Sequence, residues 1–445
     1  MTYLKLFVVS ISLLFIPVLK ATSIEQLTQA YKFTNVKISP DGKHIAVRIY
    51  QDEKYSLAFF TSDTFKPVGS AKMAGKVSVG NYHWVNNERV VISLAHKKAW
   101  KDELEFYGQL FAVNYNGKKG KMIFGYNSGE MQTGSNIKKK KSTNAWGSLI
   151  DTLPEDDKHI LVRSLPYSLA SGTDRIAQAV VINTYSGKIK RKLPKAPINN
   201  AHFLTDKQGQ LTAATGIDEK ENKLVYLFNQ DSKTWNKVDS DMVGQNFQPL
   251  AVSDSGNYLY ALDNYNQDKT GLFKLSLNDS GYESVYTDKE VDITGIAITE
   301  NGRHAYAIRI DPDYPNYLLF NKKNKEAKVF KNLLGAFPGY QVNITSQTSD
   351  GNKSIVFASS DRDPGTYYLF DKDKNSLKSL FNMLDKLNVN ELAETLPIAF
   401  KTSDGVDIHG YLTKPIGKEN SKNPTVVKVH GGPFGIRDYW LFDYE

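Results

Sequence analysis

Residues able to do chemistry cluster near the end of the 445-residue chain. A Val-rich run, Thr425 to Val429, leads straight into His430-Gly431-Gly432-Pro433. A buried strand that empties into a glycine-rich loop brings bare backbone N–H groups close to a ligand, because glycine has no Cβ to hold it off. Such N–H groups stabilise the negative oxygen of a tetrahedral intermediate, the chemistry of acyl transfer. Gly432 is the expected oxyanion donor through its backbone N–H. His430, Gly431 and Pro433 are expected to shape the loop around it.

The rest of an acyl-transfer site is missing from these residues. No Gly-x-Ser-x-Gly turn occurs, so no serine sits on the sharp strand-to-helix elbow that activates it. The chain has no cysteine, which excludes disulfides, thiolate nucleophiles and Cys-based zinc sites. In α/β-hydrolases the triad follows the oxyanion loop in the order Ser, Asp, His. Only twelve residues follow Pro433. A hydrolase domain needs on the order of 200 more, so the triad is expected beyond Glu445 and this chain by itself is expected to be inactive. One acidic stretch, Asp102-Glu103-Leu104-Glu105, reads as a solvated loop before the strand at Gln109.

The elements that must position the loop come before it. Seven turn clusters recur, each followed by a β-rich run. They are Ser39-Pro40-Asp41-Gly42, Asn86-Asn87, Glu155-Asp156-Asp157, Lys207-Gln208-Gly209, Asp254-Ser255-Gly256, Glu300-Asn301-Gly302 and Asp350-Gly351. Asn, Asp and Gly tolerate the positive φ of tight hairpins. A second apolar strand follows each run, among them Gln109 to Asn114, Ala179 to Asn183, Leu272 to Leu277 and Tyr367 to Asp371. Two hairpins per unit of roughly 45–50 residues is the period of a propeller blade, and seven units fit a closed ring. The expected fold is therefore mainly β: a seven-bladed β-propeller over residues 24–383, with a short helix at Ile24 to Ala30 capped by Ser23. No other helix is expected between residues 36 and 380. Residues 384–445 read as a linker, helical over Leu384 to Glu394, followed by the first strands of an incomplete α/β-hydrolase domain: Ile398 to Lys401, Val406 to Thr413 and Thr425 to Val429. With nothing to cover both faces, Val427 and its neighbours are expected to be exposed and this tail loosely held.

Composition and charge narrow the class. Hydrophobic residues make up 40% and charged residues 23%, which permits a packed core; 25 Tyr and 22 Phe suit pleated strands. Lys5, the apolar run Leu6 to Leu19 and Ala21-Thr22-Ser23 form a secretory signal over residues 1–23, so the chain is expected in an exported compartment, a bacterial periplasm, with no stable membrane insertion after cleavage. Removing Lys5 and Lys20 lowers the formal charge from +8 to +6. The dense cluster Lys138 to Lys141 is read as a solvated loop tip; export argues against nucleic acid as a partner.

The stretches Leu396-Pro397-Ile398, Asp404-Gly405, Ile408 to Leu412 and Val426 to Trp440 resemble the prolyl oligopeptidase family of serine peptidases, in its acylaminoacyl-peptidase and dipeptidyl-peptidase-like branch. His430 to Phe434 with Arg437, Asp438 and Trp440 is similar to that family's first hydrolase landmark, and Ser360-Asp361, Pro364 and Tyr367-Tyr368 to its last blade. The resemblance implies an N-terminal propeller gating access to a C-terminal hydrolase, short peptides as substrates, and no metal or cofactor; its dipeptidyl-peptidase-like branch further implies Glu103 and Glu105 as a carboxylate pair for a substrate's amino terminus. The alternative is a propeller binding module of the periplasm without catalysis. Self-association is left open by the sequence.

Overall fold

The computed structural model describes residues 23–98, 103–130, 140–167, 175–299, 304–320, 324–418, 421–432 and 435–443. The signal segment lies outside them, apart from Ser23. Seven antiparallel sheets follow one another: blade 1 (33–71), blade 2 (77–124), blade 3 (145–192), blade 4 (202–237), blade 5 (248–286), blade 6 (293–319) and blade 7 (341–382). Each is a simple meander, and among the described residues six of the seven have four strands. The turn clusters join the first and second strands, apart from Glu300-Asn301-Gly302, which lies outside the described residues. Gly42, Gly209, Gly256 and Gly351 all adopt φ near +70°, and each N–H returns to the carbonyl three residues back, at Ser39, Asp206, Ser253 and Thr348. A side chain there would force an L-residue into the left-handed region, so glycine is required by the turn.

Burial grades outward from the ring. Second strands are buried on both faces, as in Arg89–Lys97 and Leu211–Ile217. The fourth strand of blade 3, Ile189–Lys192, is exposed throughout. Apolar clusters fill every junction between neighbouring blades. The last junction joins Val36, Ile38, Ile45 and Val47 of blade 1 to Ile355, Tyr367 and Leu369 of blade 7, so the seven sheets close into a ring.

Among the described residues no strand is exchanged between the first and last blades, and closure rests on side chains. The first strand, Phe33–Ile38, bulges between Thr34 and Lys37. There Asn35 takes φ 51° and turns its backbone groups sideways. Its N–H donates to the Tyr367 hydroxyl of blade 7 at 3.0 Å, and its carbonyl accepts from the Tyr82 hydroxyl of blade 2 at 2.5 Å. The bulge is thus clamped from both sides. Tyr367→Phe strands the Asn35 N–H and is expected to cost about 1 kcal/mol; an unchanged urea midpoint would show that this clamp contributes nothing to closure.

Three expectations on secondary structure need correction. Among the described residues blade 6 has three strands, and a helix α2 (Lys325–Ala336) follows where a fourth strand was expected. Asn324 caps it, its side chain accepting from Glu326 and Ala327 N–H, and Ala327, Phe330 and Leu333 line one face against Tyr306, Val342 and Phe370. The cap and the three-residue spacing were present in the sequence, but the β repeat on either side dominated the reading. The expected linker helix over Leu384 to Glu394 is only a 3-10 turn at Val389–Glu391. Asn388 accepts from Asn390 N–H, a local bond that competes with a helix. Thr425 to Val429 forms no strand: Val426, Val427 and Val429 are 94%, 79% and 82% exposed. The two earlier segments do pair, as the hairpin Thr395–Lys401 with Asp407–Thr413. An inner parallel-type strand needs partners along both edges and cover on both faces, and this hairpin supplies neither to Thr425 to Val429.

The short N-terminal helix α1 (Ile24–Leu27) forms with a Ser23 capping box. It sits by the start of the linker, where Gln26 donates to the Lys386 carbonyl and Lys32 pairs with Asp385 at 2.5 Å. Among the described residues no helix is long and apolar enough to cross a membrane.

Candidate functional site

The glycine loop is held near the ring by the residues that follow it. Arg437 donates to the carbonyls of Asp311 and Pro312 at 2.6 and 2.9 Å, reaching the end of blade 6. Trp440 is 7% exposed. Its indole N–H donates to the Thr395 carbonyl at 2.9 Å, and its own carbonyl accepts from the Gln341 side chain of blade 7 at 2.5 Å. Gln341 in turn accepts from Arg309 at 3.0 Å, and Arg309 pairs with buried Asp311 at 2.9 Å. Blade 6, blade 7 and the C-terminal segment therefore share one hydrogen-bonded chain. The hairpin before the loop is pinned at the same place: the Tyr411 hydroxyl donates to the Asp313 carbonyl at 2.6 Å, and Thr395 N–H to the Asp361 carboxylate at 2.7 Å.

This anchoring divides the tail. Residues 435–443 are docked, with Trp440 and Phe442 both buried, whereas His430, Gly431 and Gly432 are exposed. A loosely held tail was expected throughout; instead the hairpin is pinned through Thr395 and Tyr411 and Trp440 and Phe442 are buried, while Val426, Val427, Val429 and the glycine loop are exposed. Among the described residues nothing lies within 4 Å of a Cβ built on Gly432, which leaves room for a ligand beside its backbone. The His430 ring donates through Nδ1 to the Gly431 carbonyl at 2.5 Å. Pro433 lies outside the described residues. No catalytic side chain converges on the loop among the described residues, and the geometry by itself offers N–H donors without a nucleophile.

The carboxylates proposed for a substrate amine are not a free pair. Glu105 is engaged by Lys98 at 2.6 Å and by the Tyr107 hydroxyl. Glu103 is exposed, and Asp102 lies outside the described residues. Of the lysine cluster, Lys140 is not a solvated tip: it donates to the Ile123 carbonyl at 2.9 Å, and burial pulls its pKa down to about 8. Reading the sequence missed Arg309 and Asp311 of blade 6 and Gln341 of blade 7; the first two pair locally, and Gln341 joins them only when the two blades pack.

No family model matches the sequence. A curated relative, dipeptidyl aminopeptidase BIII of Pseudoxanthomonas mexicana, is 26% identical over 206 residues, covering 44% of this chain and 29% of that protein. Among solved structures, acylaminoacyl peptidase of Pyrococcus horikoshii matches with a TM-score of 0.57 at 12% identity, over 94% of this chain and 64% of that one. Prolyl oligopeptidase B of Galerina marginata matches with a TM-score of 0.56 at 12% identity, over 90% of this chain and 57% of that one. The chain thus spans less than a third of the length of its curated relative and under two thirds of the length of these structures.

Proposed function

We infer that this chain, related in sequence and fold to the prolyl oligopeptidase family of peptidases, is the N-terminal portion of an exported serine peptidase that hydrolyses short peptides. The single observation that carries this reading is the sequence match to a dipeptidyl aminopeptidase on a chain folded as a seven-bladed ring. The open backbone of Gly432, downstream of that ring, suits an oxyanion donor. In such a site a serine hydroxyl gives its proton to histidine and attacks the peptide carbonyl, and the same histidine then protonates the departing amine. The ring limits entry to short or unstructured peptides. The nucleophile, acid and base are assigned beyond residue 445, and the present chain is assigned no turnover.

The expected result is threefold. The purified 445-residue chain takes up no serine-directed fluorophosphonate. Exported protein begins near Ser23. The reading frame continues past the codon for Glu445 into a Gly-x-Ser-x-Gly motif. Labelling of the chain would overturn the assignment of the nucleophile, and a stop codon directly after Glu445 would favour the binding module.

A further inference from the structure

Three basic runs that lie far apart in the sequence meet on the outer edge of blades 2 and 3. Lys118 to Lys121 leads into the fourth strand of blade 2. Lys140 and Lys141 belong to the insertion before blade 3. Lys188 to Lys195 covers the exposed fourth strand of blade 3 and its flanks. Lys140 ties the runs together. Its ammonium donates to the Ile123 carbonyl of blade 2 at 2.9 Å and lies against Gly187, where a Cβ would stand 2.5 Å from Nζ and 3.1 Å from Ile123. The Lys119 ammonium lies over the Tyr185 ring at 5.9 Å, so the outer turns of the two blades are adjacent.

Lys188 to Lys195 holds five cations and no acid, almost the whole of the +6 left after residue 23. The three runs together hold ten. Five acids stand in the neighbouring turns, at Glu88, Glu130 and Glu155-Asp156-Asp157. Glu130 is engaged by Lys121 at 2.6 Å and Asp156 by His159 at 2.9 Å. Among the described residues no carboxylate forms an ion pair with Lys188, Lys190, Arg191, Lys192 or Lys195. Burial and the Lys121 charge pull Lys140 down to about 8, with Glu130 opposing. Like charges crowded along one edge repel each other, and a dense anionic partner removes that repulsion.

We propose that this edge docks on a membrane surface rich in anionic phospholipid. An extended run from Lys188 to Lys195 reaches roughly 25 Å, too long for one small anion. Its strand, Ile189–Lys192, is exposed at every residue. Ile189 is 39% exposed among the charges, an apolar contact that a lipid layer rewards and a soluble polyanion does not. The three runs contain no aromatic residue, so nucleic-acid bases find nothing to stack on. The tail is docked across the ring at blades 6 and 7, so a ring held by blades 2 and 3 leaves it clear of the surface. The inference is independent of the peptidase reading and requires no turnover.

Co-sedimentation of the full 445-residue chain with vesicles tests it, using phosphatidylcholine alone and phosphatidylcholine with about one third phosphatidylglycerol. Partitioning onto the anionic vesicles is expected to be about 100-fold stronger and to fall away as salt is raised. Each cation near an anionic surface is worth roughly fivefold, so Lys190→Gln, Arg191→Gln and Lys192→Gln combined should lower it about 100-fold. Lys401→Gln, Lys414→Gln and Lys418→Gln combined, an equal loss of charge in the tail, should leave it unchanged. Both variants keep residues 1–23, so any contribution of the signal segment cancels. Circular dichroism checks that each folds; should the first not, Lys188→Gln with Lys195→Gln, both outside the strand, carries the same test at about 25-fold. Polyglutamate and a short DNA duplex stand for the rival partners. Equal partitioning onto the two kinds of vesicle, undiminished partitioning of the blade 3 variants, an equal loss in the tail variant, or binding of a soluble polyanion without binding of vesicles would each overturn the proposal. Lysine on an edge strand also blocks strand pairing; self-association of the blade 3 variant with vesicle binding intact would assign the charges to that role instead.

Discussion

Arg89→Met is expected to be the most damaging single substitution in the ring, lowering stability by about 4 kcal/mol. Arg89 is 0% exposed and lies between blades 2 and 3. Its guanidinium donates to the Thr184 carbonyl at 2.8 and 3.0 Å, to the Asn114 side chain at 2.7 Å, and to the carbonyls of Ala112 and Lys119 at 3.3 and 3.1 Å. It also stacks over the Tyr185 ring at 4.4 Å. Methionine fills much of the same space and donates nothing. Four acceptors would then lose this partner, three of them on the buried residues Thr184, Asn114 and Ala112, which is costlier than the loss of one ordinary hydrogen bond. Urea unfolding followed by far-ultraviolet circular dichroism measures the effect. A midpoint equal to that of the unmodified chain would mean that water enters the junction and replaces the guanidinium. Arg89→Lys should recover only part of the loss, because a single ammonium cannot reach both blades in the same plane.

Trp440→Ala is expected to act locally and on the candidate site. The substitution removes a buried indole, its bond to Thr395 and its contact with Tyr314. Truncating a buried tryptophan costs about 3 kcal/mol, which corresponds to roughly 100-fold more frequent release of the docked segment. Residues 435–443 should then exchange amide hydrogens faster, and trypsin should cut after Arg437, while blades 1 to 5 keep their protection. The glycine loop would be held less firmly relative to the ring, by Arg437 at Asp311 and Pro312 and by Gln341 at the carbonyl of residue 440. Protection unchanged in this segment would show that the Trp440 anchor does not hold it.

Several features were legible because they depend on a few neighbouring residues. Turn glycines such as Gly42 and Gly351 announce themselves by type and spacing, and each one marks the hairpin found there. The alternating or wholly apolar runs after them identify the strands that the ring buries. Ser23 could be read as a cap since a capping box spans only four residues. The helix α2 was equally local, yet the surrounding β pattern masked it. Thr425 to Val429 was misread for the opposite reason: its composition suits a buried strand, but a strand exists only beside another.

The chain order alone thus determined the repeat, its seven copies, the place where it stops and the glycine loop that follows. Tertiary structure alone decided which blades touch and which charges are buried. It placed Arg89 out of water between two sheets, brought Arg309 and Gln341 under Trp440, and drew Asp361 and Glu394 to one aromatic cleft. Turns and strands are written in contiguous residues, so their physics acts over a few bonds. Desolvation and charge pairing act through space, and residues a hundred positions apart acquire them only when the ring has closed.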